Sequence, residues 1–156
     1  MRTTTFFLDV NVPMYAAGAH HPYKAACTWL MQEVAAGRLI VAMDTEIIQE
    51  VLHRYGSIQK WETGITMALD LLDLVPRLYP VGAQDIKRAI ELFRRFTPAG
   101  VKARDTLHAA VMQTNGLTYI LSTDQHFDRI EGITRVNVGA LETTRLDVER
   151  IIRQAT

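Results

Sequence analysis

Four carboxylates carry the chemistry this chain could do: Asp9, Glu50, Asp105 and Asp124. Each lies beside an apolar run expected to be buried, where a lone charge is costly unless something pairs with it. No pattern of Lys or Arg supplies a partner for all four. Converging carboxylate oxygens suit a hard divalent cation, Mg²⁺ or Mn²⁺. Without one, acids held a few ångströms apart repel each other and resist full ionisation. Taken singly, each acid has a plainer role: Asp9 closing a turn, Asp105 capping a helix, Asp124 in a loop, Glu50 solvated on a helix. Gathered at one edge, they favour a metal cage, because ionisable groups clustered in a cleft mark functional sites.

The elements that must position these acids follow from the pattern. Short apolar runs alternate with helical periodicity, which predicts an α/β fold with a mostly parallel central sheet. The strands are expected at Thr5–Leu8, Leu39–Met43, Tyr119–Ser122 and Ile133–Val138. Between Pro76 and Pro80, an edge strand or an extended connection is expected. Helices are expected over Tyr23–Ala36, from Asp44 or Thr45 to Tyr55, and over Ile58–Leu72, Asp85–Phe96, Ala103–Asn115 and Leu141–Gln154. Ala68, Leu71 and Leu72 are expected near the core, and Ile86, Ala89, Ile90 and Phe93 share a helical spacing. In such a sheet, ligands bind at the carboxyl ends of the strands. Asp9 ends the first strand and Asp124 follows the Tyr119 strand. Glu50 lies in the second turn of the helix leaving the second strand. Asp105 opens the helix that runs back before the Tyr119 strand. All four can therefore reach one edge.

The bulk properties bound the problem. At 156 residues and 48% hydrophobic, the chain suits a single domain over 1–156, its core at about 5–138 and a terminal helix at about 141–154. Basic and acidic residues balance at 17 each, so net charge gives no support to nucleic-acid contact, although a local basic rim could supply it. The single Cys27 cannot form an internal disulfide, and it reads as a small buried residue in a reducing setting. The start of the chain lacks a signal-peptide pattern and no apolar stretch nears a membrane span of about 20 residues. A cytoplasmic protein without membrane contact is expected.

The segments FLDVNV, IIQEVLHR, ARDTLHAAV and LSTDQHF stand in the order found in PIN-domain ribonucleases. The chain resembles most the VapC toxins of bacterial and archaeal toxin–antitoxin pairs, over roughly Phe6 to Val138. The resemblance implies a three-layer α/β/α sandwich and a Mg²⁺- or Mn²⁺-dependent endoribonuclease. It implies Asp9, Glu50, Asp105 and Asp124 as catalytic metal ligands, with Asn11 and Thr123 as small polar residues near the metal. Glu46, one turn before Glu50, competes for the second position; Glu50 is preferred because it precedes the apolar pair Val51-Leu52. Asp128 is an extra acid expected in a solvated loop. An antitoxin partner and a homodimer are implied by the resemblance alone. The Pro13-Met14-Tyr15 stretch is a mild departure and unsettles where the following helix starts.

Cleaving a phosphodiester also needs positive charge for the substrate strand. Lys102, Arg104 and Arg54 are the candidate phosphate contacts, with Arg94 and Arg95 just before that loop. The five histidines form no HExxH or other tight zinc spacing; His108 and His126 could stand behind the acids, but packing or surface roles are expected. No Gly-rich nucleotide loop is present. Three other readings remain open at this point. One is a phosphatase or phosphotransfer enzyme with Asp9 as nucleophile, against which stands Thr123-Asp124 where such chemistry usually places a Lys. The second is a PIN-like RNA-processing nuclease outside a toxin pair. The third is a non-catalytic binding module, which gains nothing from four mutually repelling acids.

Overall fold

A computed structural model describes residues 3–155; the ends of the expected 1–156 domain, residues 1, 2 and 156, lie outside the described residues. The first strand, β1 (Thr5–Leu8), has Phe6, Phe7 and Leu8 fully buried. A strand that is apolar on both faces needs cover on both faces, which is the condition of a parallel sheet under helices. The other strands are β2 (Ile40–Asp44), β3 (Arg77–Tyr79), β4 (Tyr119–Ser122) and β5 (Thr134–Asn137). All pairings are parallel and the order is β3-β2-β1-β4-β5, with seven helices flanking the sheet. The expected α/β/α sandwich is therefore found, with a wholly parallel sheet. The short β3 between two prolines is an edge strand, where a missing backbone N–H does least harm.

The order reverses at β1: the chain moves outward through β2 to β3, then returns to place β4 on the other side of β1. The crevice at such a reversal, beyond the carboxyl ends of the strands, is where this architecture binds ligands. Asp9 leaves β1 at that point and Ser122-Thr123-Asp124 leaves β4 beside it, with the Asp9 N–H donating to Leu121 O at 3.1 Å.

The α-helices among the described residues are α1 (Asn11–Ala17), α2 (Lys24–Ala35), α3 (Thr45–Ser57), α4 (Trp61–Leu74), α5 (Ala83–Phe96), α6 (Ala103–Thr114) and α7 (Leu141–Gln154). Helix α1 departs from the expectation of a single helix from Tyr23. Pro13 sits in its first turn, where the N–H it lacks would have had no intrahelical partner. One apolar expectation fails. Leu72 is exposed, while Ala68 and Leu71 are buried. The helix expected over Asp85–Phe96 is found as α5; of the four residues at helical spacing Ala89 is buried, together with Asp85 and Leu92, while Ile86, Ile90 and Phe93 face outward. The helical spacing was real, but α5 rests on the domain through the neighbouring strip of its surface.

Helices α3 and α4 approach closely because Gly64 has no side chain. A Cβ built there would stand 2.7 Å from Tyr55 Cβ, on backbone-proximal atoms that cannot swing away. Gly64→Ala should therefore destabilise the fold by about 1–3 kcal/mol, as overpacking of a close contact does. Urea unfolding of the two proteins measures it.

Candidate metal centre

The edge of the sheet is built from the backbone outward. Asp9 is buried, and its carboxylate is fixed by three donors. The Val10 N–H reaches Oδ1 at 2.8 Å, the Ser122 hydroxyl reaches Oδ2 at 2.6 Å, and Asn11 Nδ2 reaches Oδ2 at 3.1 Å. Ser122 also accepts from Asn11 Nδ2 at 3.3 Å and from the Asp124 N–H at 3.0 Å. One hydroxyl thus ties the ends of β1 and β4 together. Thr123, expected here, contributes its backbone N–H to Asn11 Oδ1 at 3.3 Å. Sequence reasoning missed Ser122, although it stands beside Thr123 in the same motif.

Behind this edge lies a buried ion cluster. His108, on α6, is 1% exposed, with Nδ1 at 2.7 Å from Asp44 Oδ2 and Nε2 at 2.5 Å from Glu50 Oε1. With a carboxylate on each ring nitrogen, both nitrogens donate, which is the protonated form. Burial alone would lower the His108 pKa, but its hydrogen bonds to Asp44 and Glu50 and the charges of Asp44 and Asp9 outweigh this and hold it well above the usual 6.5. Asp44 also caps α3 by accepting from the Ile47 N–H at 3.1 Å. The expectation of a plain packing or surface role for His108 is corrected: desolvated and doubly bonded, it is the cation of the cluster.

Glu50 is held accordingly. Burial raises its pKa, but His108, then Arg104 and Arg54, lower it overall. Its Oε2 is 3.5 Å from Arg104 Nη1. Glu46 is not part of this cavity. It borders a separate apolar hollow with Ile86, Ile90 and Phe93, and its pKa is raised by burial and by the charge of Glu50.

Asp105 is the uncompensated acid. It stands in the first turn of α6, with Oδ2 accepting the Lys102 N–H at 3.3 Å. Burial, followed by the neighbouring Asp124 charge, pushes its pKa up to about 6. Burial likewise raises Asp9, against the opposing pull of His108 and Ser122. Asp124 is 29% exposed and accepts from the His126 N–H at 2.9 Å. Ligand atoms of Asp105, Asp124 and His126 lie within 4.8 Å of one another.

A cavity of about 220 Å³ is lined by Asp9, Asn11, Glu50, Arg54, Lys102, Arg104, Asp105 and Asp124. The four acids of the sequence pattern thus share one small cavity with three of the candidate cations, Arg54, Lys102 and Arg104; Arg94 and Arg95 do not line it. A larger hollow of about 630 Å³ lies between α1, α2 and α4, but it is mainly apolar and brings no comparable set of acids together. Asp128 is elsewhere, in a two-bond pair with Arg135 at 3.0 Å on each arm. Arg95 pairs with Glu131 at 2.9 Å and does not line the cavity. The donor set fits a hard divalent cation: it offers several carboxylate oxygens in one small cavity, where burial, and for Asp105 the neighbouring Asp124 charge, raises the pKa of Asp105 and Asp9.

This fold, with acids at its strand reversal, defines a class. The PIN domain profile matches residues 6–133, and the chain belongs to the PIN-domain family. It is 35% identical over 130 residues to Ribonuclease VapC13 of Mycobacterium tuberculosis, spanning 83% of this chain and 97% of that protein. Among solved structures it is similar to Mycobacterium tuberculosis VapC20, described as a Sarcin-Ricin loop cleaving toxin. There the TM-score is 0.67 at 18% identity, covering 80% of this chain and 93% of that one. It is also similar to VapBC2 from Rickettsia felis bound to a promoter DNA fragment, with a TM-score of 0.65 at 16% identity, covering 85% and 97%. Among the described residues, no helix is long and apolar enough to cross a membrane.

Two expected outcomes test the electrostatics. His108→Leu leaves Asp44 and Glu50 buried and facing each other, so stability should fall by about 3–5 kcal/mol in urea unfolding. Asp105 has a folded pKa above its unfolded one, so its destabilising effect grows as pH rises from about 4 through about 6. In metal-free protein at pH 7.5, Asp105→Asn should therefore raise Tm by several degrees, on a scale of about 2–4 °C per kcal/mol. Mn²⁺ should raise the wild-type Tm at pH 7.5 and do so much less at pH 5.5, where Asp105 keeps its proton.

Proposed function

We propose that this chain is a metal-dependent endoribonuclease that hydrolyses RNA phosphodiester bonds with Mg²⁺ or Mn²⁺, and that it is the toxin of a type II toxin–antitoxin pair. The observation that carries the proposal is the meeting of Asp9, Glu50, Asp105 and Asp124 in one cavity rimmed by Arg54, Lys102 and Arg104. Two named relatives support the substrate, VapC13 as a ribonuclease and VapC20 as a toxin that cleaves the Sarcin-Ricin loop. The likeness to VapBC2 supports an antitoxin as partner. A homodimer and a cytoplasmic location belong to the same reading.

In this mechanism Asp9, Asp105, Asp124 and Glu50 are the residues that would hold the cation. The bound cation supplies Lewis acidity toward water and toward phosphoryl oxygens. The protein's own groups do the positioning. Ser122 and Asn11 hold Asp9 in one orientation, and Asn11 fixes the Thr123 backbone that carries Asp124. His108 keeps Glu50 ionised and aimed at the cavity. Arg54, Lys102 and Arg104 contact phosphates of the RNA strand, so binding should weaken as salt rises. A phosphotransfer enzyme with Asp9 as nucleophile is disfavoured, because both Asp9 oxygens already accept hydrogen bonds and no Lys follows β4.

Wild-type protein with Mn²⁺ should cleave a mixed RNA pool and stop when EDTA is added. Asp9→Asn should lower cleavage at least about 100-fold while keeping the folded circular dichroism spectrum. Undiminished cleavage by Asp9→Asn, or cleavage indifferent to EDTA, contradicts the proposal.

A further inference from the structure

Arg135 is a cation that does not line the acidic cavity, yet its contacts lead to it. It stands on β5, in register with Ile120 of β4, and its side chain is only 9% exposed. Its stem runs toward the carboxyl edge of the sheet, because the guanidinium reaches Ser122, beyond Ile120 on β4. Every nitrogen of the fork is used. Nε and Nη2 donate to Asp128 Oδ1 and Oδ2, each at 3.0 Å, and Nη1 donates to Ser122 O at 3.2 Å and to Val136 O at 3.5 Å. A planar guanidinium that grips both oxygens of a carboxylate leaves little freedom of angle.

These contacts close the loop that carries Asp124. Ser122 ends β4, Asp124 follows it, and Asp128 lies in the 3₁₀ turn Gln125–Arg129. One guanidinium thus holds the carbonyl at the start of the segment 122–128 and the carboxylate at its end. Asp124 lies between them. Among the described residues, its carboxylate receives hydrogen bonds from His126 of its own turn and from nothing outside the loop. Its place at the cavity is therefore the place of the loop. Asn11 fixes that loop in front, through the Thr123 N–H, and Arg135 fixes it behind. Ser122 extends the effect, since its hydroxyl holds Asp9. Asp128 is 51% exposed, and an ion pair open to water adds little stability. What the pair supplies is position.

We propose that Arg135, with Asp128 as its counter-ion, is a positioning residue for the cation site: by joining Ser122 O to Asp128 it keeps Asp124 and the Ser122 hydroxyl in place beside Asp9 and Asp105. The inference rests on the reading of these acids as cation holders. It adds to that reading a residue which touches neither the cation nor RNA. Loss of a group that orients metal-holding side chains costs about 10–100-fold in metal affinity or activity.

The test titrates the whole protein with Mn²⁺ alone and reads free Mn²⁺ by electron paramagnetic resonance. Arg135→Met should weaken Mn²⁺ binding at least about tenfold and lower kcat for RNA cleavage by a similar factor. KM should change less than about twofold, because the phosphate contacts proposed for Arg54, Lys102 and Arg104 are untouched. Asp128→Asn, at a half-exposed position, should weaken Mn²⁺ binding in the same direction, and the double variant should be no worse than Arg135→Met alone. Asp128→Asn carries the test if Arg135→Met does not fold. Val34→Ala is the comparator: it removes buried volume near the end of α2, at the opposite edge of the sheet, and should lower Tm while binding Mn²⁺ as wild type does. Wild-type Mn²⁺ affinity in the folded Arg135 and Asp128 variants overturns the clamp and leaves the cation site standing. So does an equal loss of affinity in Val34→Ala. Absence of Mn²⁺ binding by wild type overturns the cation site and the clamp with it.

Discussion

A protonated histidine clamped between two buried carboxylates underlies the acidic edge of this protein. His108 shares hydrogen bonds with both Asp44 and Glu50, and all three are almost wholly removed from water. A buried ion cluster of this kind is costly to assemble and more costly to break, because a missing partner strands the rest. Its geometry has consequences at longer range. Asp44 caps α3 and ends β2, Glu50 lies on α3, and His108 rides on α6. The cluster therefore joins the helix leaving the second strand to the helix entering the fourth.

The same helix serves the front of the site. Asp105 and His108 are three residues apart on α6, one turn, so one element delivers a cation behind the edge and an anion in front. The compensation is uneven. Glu50 is satisfied by His108 and Arg104, whereas Asp9 and Asp105 keep raised pKa values despite their hydrogen bonds. An edge neutralised at the back and deficient in positive charge at the front is suited to one kind of ligand, a small cation with room for water. The three cations at the rim lie where a polyanion would approach, in a chain whose total charge is zero. Local arrangement, and not net charge, decides what this surface attracts.

Much of this was legible in the sequence, and the reasons are specific. Strands β1 and β4 were read to the residue because continuous apolar runs ending in Asp9 and in Ser122-Thr123-Asp124 leave little choice of boundary. The parallel order then placed all four acids at one edge. The ion cluster was not legible: Asp44 and His108 are 64 residues apart, and each has an ordinary local explanation, a helix cap and a packed ring. Ser122 lost to Thr123 because the choice between adjacent hydroxyls depends on which way the strand's last pleat turns, a fact of three dimensions. Helix α5 was legible as a helix, but not the strip it buries. Its apolar residues recur at helical spacing, but periodicity cannot tell which strip of a helix meets the core.

The account stands on cation binding by the acids at the strand reversal, and crystals of the protein soaked in Mn²⁺ with anomalous data collected at its absorption edge test it most directly. The account predicts a peak within about 2–2.5 Å of carboxylate oxygens from Asp9, Asp105 and Asp124, with His108 still bridging Asp44 and Glu50 behind it. A crystal saturated with Mn²⁺ that shows no peak there, or a peak bound only by residues outside that edge, would contradict it.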